Sequence, residues 1–142
     1  MLENKAKLRR IALLSSGLVY AISLFCPVFK LAEGNSSFLL GFVCLLFGFG
    51  KLPWYANLFY FASLIALFLR KALLTVVLAV VAVALALTTL GIEEMPRNEA
   101  DNMTAVVGYG PGFYLWLGSM LIVLLAAFPA SATPKATIQT PP

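Results

Sequence analysis

Lys71 and Glu93 are separated by 21 uncharged residues, and an uncharged stretch of 18 residues, 52–69, reaches the basic pair Arg70-Lys71 from the other side. An α-helix rises about 1.5 Å per residue and has to cross roughly 30 Å of hydrocarbon, so each stretch is about long enough to span a bilayer. Two such helices with two cations between them read as a membrane hairpin, and the excess of Lys and Arg on cytoplasmic loops puts its turn inside. That feature sets the solvent, the topology and the chemistry open to the chain; it names no activity.

Composition agrees. The chain is 61% hydrophobic and 11% charged, against roughly 45–50% apolar and 25% charged in soluble domains. The net charge of +4 does not point to nucleic acid, because Lys5, Lys7, Arg9 and Arg10 crowd the start of the chain just before an apolar run, the pattern of a positive-inside anchor. That run ends in Phe25-Cys26-Pro27 without a small-residue cleavage site, so it is expected to stay as a permanent anchor. Histidine is absent, which removes the usual general base and the commonest metal ligand. Cys26 and Cys44 form neither a C-x-x-C pair nor a metal set. No catalytic residue, cofactor or metal site is expected.

Apolar blocks lie at 11–29, 38–50, 52–69, 72–90 and 113–129. As a helix, block 38–50 reaches only about 20 Å, the length of an interfacial or re-entrant segment. With the other four as spans, Lys5, Lys7, Arg9, Arg10, Arg70, Lys71 and Lys135 fall inside and Lys30, Lys51 and Arg97 outside, seven against three. Making the short block a fifth span weakens the bias to six against four. The expected fold class is therefore all-α, an integral membrane four-helix bundle with an additional short interfacial or re-entrant apolar segment. It forms a single transmembrane domain over 1–129, with Arg9, Arg10, Arg70 and Lys71 as topology anchors. The tail, 130–142, is polar and proline-rich, and reads as a disordered cytoplasmic extension. The loop 91–112 sets Glu93, Glu94, Glu99 and Asp101 against Arg97; without the alternating acids of a calcium loop it reads as a solvated acidic segment.

Both tryptophans and four of the five tyrosines gather at the outer ends of these spans. Trp54, Tyr55, Asn57, Tyr109, Tyr114 and Trp116 form the candidate outer-face interaction surface, set against the plainer reading of an aromatic belt at the headgroups. Asn57 is the one amide within the spans and needs a partner there, most simply on a neighbouring helix. Small residues recur seven apart: Ser16 and Ser23, Ala56 and Ser63, Ala72, Ala79 and Ala86, then Gly112, Ser119 and Ala126. Such stripes let helices approach closely in lipid and favour left-handed crossing.

The string Trp54-Tyr55-Ala56-Asn57, with Gly112-Phe113-Tyr114-Leu115-Trp116 through Ser119, resembles the W-x-A-N and G-(Y/F)-Y-L-W-x-x-S strings of small four-helix bacterial inner-membrane proteins. The resemblance implies a bacterial inner membrane, multi-pass, with both termini cytoplasmic, and adds no activity.

The spans carry no Asp, Glu, Lys or Arg, whereas proton and ion pathways are usually marked by intramembrane charges. The expected function is non-enzymatic: a polytopic membrane protein acting by association, as an accessory subunit, assembly factor or protective partner of another membrane protein. The alternative is a self-assembled small channel or a lipid or small-molecule transport bundle. The expected partners are membrane lipids and a membrane protein or further copies of the chain, with no nucleic acid.

Overall fold

The hairpin turn is built from backbone hydrogen bonds that Arg70 and Lys71 themselves supply. Helix α3 (Ala56–Phe68) ends where Lys71 N–H donates to Ala66 O at 2.9 Å and Arg70 N–H donates to Leu67 O at 3.2 Å. This is the six-to-one and five-to-two pairing of a Schellman ending, which needs a left-handed residue between. Arg70 takes that conformation, with φ 62°. Helix α4 (Ala72–Leu87) starts directly afterwards and runs on into a 3-10 turn, Thr88–Gly91.

The computed structural model describes residues 2–32, 39–96 and 103–131. Helix α1 (Leu2–Leu24) opens the chain, and helix α5 (Pro111–Ser131) closes the described part. Helix α5 packs against both α1 and α4, and α4 packs against α3. Among the described residues two helices, Ala72–Gly91 and Pro111–Phe128, are long and apolar enough to cross a membrane. A short helix α2 (Gly41–Phe47) is bent by 100° from the following Leu52–Phe68, so the expected short segment holds a two-turn helix sharply angled to its neighbour.

The burial pattern departs from that of a water-soluble bundle, with small residues inside and many large aliphatic side chains outside. Ser16, Ser23, Ser63, Thr75 and Ser119 are at most 2% exposed, and Ala56, Ala79, Ala82, Ala86 and Ala127 fill the interior beside them. Leu14, Leu18, Phe68, Leu73 and Leu125 point outward, all above 60% exposed. Most members of the seven-residue stripes are buried, which brings the helices close. Tyr20, Tyr60, Met120 and Val123 supply the larger core side chains.

The all-α expectation needs one correction. Strands β1 (Phe29–Leu31), β2 (Glu94–Pro96) and β3 (Met103–Tyr109) form a three-stranded antiparallel sheet in the order β1-β3-β2. Phe29 pairs with Tyr109, and Met95 with Thr104. The run from Thr104 to Tyr109 is rich in β-branched and aromatic residues, and Phe29 and Leu31 are buried on either side of exposed Lys30, so both segments fit a half-buried strand better than a loop or helix. Part of the expected acidic loop is thus sheet; Arg97, Glu99 and Asp101 lie outside the described residues, as does 132–142 of the expected tail.

The first block also ends early. Pro27 lacks an N–H and disfavours helix at Cys26, so α1 stops at Leu24 and the chain turns into β1. Helix α5 starts at Pro111, two residues before the expected block, because proline is suited to a first helical position, and it continues to Ser131. Its start docks on the end of α1: Gly110 N–H donates to Val28 O and Gly112 N–H to Pro27 O, both at 2.9 Å. A Cβ on Gly112 would lie 2.6 Å from Cys26 O. Helix α2 docks the same way, Gly41 N–H donating to Cys26 O at 3.1 Å.

These contacts predict opposite signs for two alanine substitutions in α5. Gly112→Ala forces the backbones apart and is expected to destabilise by about 1–3 kcal/mol. Gly118→Ala meets nothing within 4 Å and is expected to stabilise by about 0.5–1 kcal/mol through helix propensity. Thermal unfolding of both variants in one detergent checks the pair, and a shift in the same direction would contradict the docking.

Candidate functional site

Asn57 lies in the first turn of α3, just after the 3-10 turn Leu52–Tyr55 that Pro53 starts. Its Oδ1 accepts two hydrogen bonds, from Tyr20 OH at 3.0 Å and from Trp116 Nε1 at 2.9 Å. An indole N–H only donates, so the amide oxygen must face it, which fixes the orientation of the side chain. Nδ2 donates to Trp54 O at 3.0 Å. One amide oxygen therefore joins α1, α3 and α5.

Trp54 extends the network sideways. Its Nε1 donates to Leu45 O at 2.7 Å, one of the last carbonyls of α2, which have no partner within so short a helix. Below Asn57 the Tyr20 ring stacks on Tyr60, centroids 5.0 Å apart. Ser16 Oγ donates to Ser119 O at 2.7 Å, so its 2.7 Å contact with Tyr60 OH has Tyr60 as donor. Ser23, Ser63 and Ser119 return their hydroxyl protons to carbonyls of their own helices.

Above this network is a cavity of about 510 Å³ between the end of α1, α2, the start of α3, the 3-10 turn after α4 and the start of α5. Leu24, Val28, Leu39 and Val43 are among its apolar walls; Asn57, Thr89 and Lys51 are its principal polar groups. Thr89 is 2% exposed, and its hydroxyl has no hydrogen-bond partner among the described residues. The volume falls within the roughly 300–1,000 Å³ typical of ligand pockets.

The predicted surface residues separate into two groups. Trp54, Asn57 and Trp116 come together at the cavity. Tyr55 and Tyr114 are exposed on the outside, and Tyr109 packs between Phe29 and Phe113 while its OH donates to Thr89 O at 3.3 Å. Among the topology anchors, Arg9, Arg70 and Lys71 line a second cavity of about 470 Å³ at the opposite end of the helices, and Arg10 is exposed beside it. Sequence reasoning missed Tyr20, and it singles out Thr89 only as one of the few polar groups, with Asn57, Thr75 and Thr88, that could line a pore. Tyr20 was findable, because it stands four residues after Ser16 and three before Ser23 on one helical face; Thr89 carries no such signal.

An amide, hydroxyls and indoles in mutual hydrogen bonds can hold and orient a guest. Among the described residues no group of three or more His, Cys, Asp or Glu side chains could hold a metal ion, and both cysteines are free. No protein-family model matches the chain, and neither a curated protein nor a solved structure matches it.

Asn57→Leu removes the acceptor shared by Tyr20 and Trp116 and leaves two buried donors. A loss of about 1–3 kcal/mol is expected in mild detergent, with Trp116→Phe costing less because it removes only one donor. Unchanged unfolding midpoints for Asn57→Leu would contradict the assignment.

Proposed function

We propose that this chain is a four-span protein of the bacterial inner membrane, with both termini cytoplasmic, that acts without catalysis. It associates with another membrane protein as accessory subunit, assembly factor or protective partner, and the cavity beside Asn57 receives that partner. The outward-facing leucines and buried hydroxyls support placement in lipid, where apolar surface costs nothing and polar groups need internal partners. Length supports four spans: α3 rises roughly 20 Å and its 3-10 turn adds about 8 Å, close to the hydrocarbon thickness. The cations on α1 and at the hairpin turn lie at one end of the helices and the sheet and aromatic residues at the other, in keeping with a positive inner face.

The observation that carries the association reading is the apolar rim of the cavity. Leu46, Phe47, Phe49, Leu52 and Tyr55 are all exposed beside the opening, on the segment that bends by 100°; unlike the straight outer faces of the other helices, this bent rim offers a partner a shaped surface to pack against. The channel alternative is less well supported, since the hydroxyls of Ser16, Tyr60 and Ser119 are spent on one another inside a single chain. The apolar walls of the cavity favour a second reading, a bundle that binds a lipid or small apolar molecule.

Two measurements test these readings. Purification in mild detergent should yield a stoichiometric partner that is lost when Val43→Trp fills the cavity and kept when Leu125→Trp alters the far outer surface; recovery of the chain alone from both would overturn association. A lone cysteine placed at position 71, with Cys26 and Cys44 replaced, should be labelled only from the cytoplasmic side. Labelling from outside would overturn the four-span topology.

A further inference from the structure

The end of the protein opposite the Asn57 cavity carries a site of different chemistry. Lys5 and Arg9 on the first turns of α1 and Arg70 and Lys71 at the hairpin turn, distant in sequence, line one cavity of about 470 Å³. Glu3 is the one acid among the described residues of its lining, and Leu67 and Ala126 contribute apolar surface. None of the four cations is in an ion pair among the described residues; the Arg9 side chain makes only a 3.4 Å contact from Nε to Lys5 O. Four cations converging without partners, one acid among them, leave the cavity strongly positive.

The hairpin geometry adds a second, independent observation. The left-handed position of a Schellman ending is most easily filled by glycine, and an L side chain there is disfavoured. Arg70 occupies it at φ 62°. A topology signal needs cations somewhere in the loop; it does not require one in the strained position, nor require them to meet the basic turns of α1 around a shared cavity.

We propose that this cavity holds the phosphodiester headgroup of an anionic phospholipid from the inner leaflet. Arg9 and Arg70 offer planar forks that match phosphate oxygens, Lys5 and Lys71 add point charges, and the apolar floor meets the start of the acyl chains. Basic pockets between spanning helices on the cytoplasmic side suit this ligand class. The inference rests on the membrane placement proposed above.

The test uses the full chain in nanodiscs of equal phosphatidylcholine and phosphatidylglycerol, with retained lipid counted by native mass spectrometry. The wild type should retain phosphatidylglycerol by about tenfold over phosphatidylcholine. Arg9→Gln with Arg70→Gln should abolish the preference, while Lys30→Gln with Lys51→Gln, an equal loss of charge elsewhere, should leave it. Equal retention of both lipids by the wild type, or equal loss in both double variants, overturns the site. Displacement of the lipid by millimolar inorganic phosphate would overturn the lipid as source and assign the cavity to a free phosphate. A chain that stays out of the bilayer refutes the membrane placement and the lipid site together, whereas one that inserts without preference refutes the lipid site alone.

Discussion

The oxygen of one amide holds the upper half of this protein together. Asn57 Oδ1 accepts from Tyr20 on α1 and from Trp116 on α5 while standing on α3. Both donors are large rings whose bodies fill the space between helices and whose polar tips must end on an acceptor. With that acceptor in place the rings are fixed, the Tyr20–Tyr60 stack follows, and small residues below can close the gaps between backbones. In an apolar surrounding, where water does not compensate, the bonds give direction to packing that alanine and serine alone would leave free to slide.

The two ends of the helices then divide the chemistry between them. One end is tied down by glycine–carbonyl docking of α2 and α5 on the turn after α1, carries the sheet, and leaves an apolar cavity. The other is tied by the Schellman turn and carries, around a second cavity, cations that form no ion pair among the described residues. The helices that join these ends bury apolar and polar-uncharged residues, with no buried Asp, Glu, Lys or Arg among the described residues, so no charge lies between the two ends.

Much of this was legible in the chain. The uncharged runs and Arg70-Lys71 located the hairpin within a residue or two, and the seven-residue stripes located the buried faces. Asn57 stood out as an amide without an evident partner among apolar residues. The sheet was not legible: β1 and β2 are three residues each, too short for a pattern, and the Thr104–Tyr109 run sits in a segment whose glycines and acids read as loop. The cavity was not legible either. It exists because residues near positions 20, 40, 57, 89 and 116 are brought to one place, and local periodicity carries no information about distances of that range.

The route between cavity and core passes through Trp54. Its indole N–H holds Leu45 O at the end of α2, and its carbonyl accepts from the Asn57 amide, so the helix that covers the cavity and the residue that joins three helices share one side chain and its backbone. A guest that displaces α2 must either break the 2.7 Å indole bond, exposing a carbonyl with no helical partner, or carry Trp54 with it and disturb the amide. The first leaves the bundle unchanged; the second alters the geometry at Asn57 and hence the seating of Tyr20 and Trp116. Because Phe49 lies against the Trp54 ring, centroids 4.0 Å apart, the loop after α2 moves with that ring in the second case. Among the described residues, Trp54 is thus the one that bonds both to the helix lining the cavity and to the amide that joins three helices.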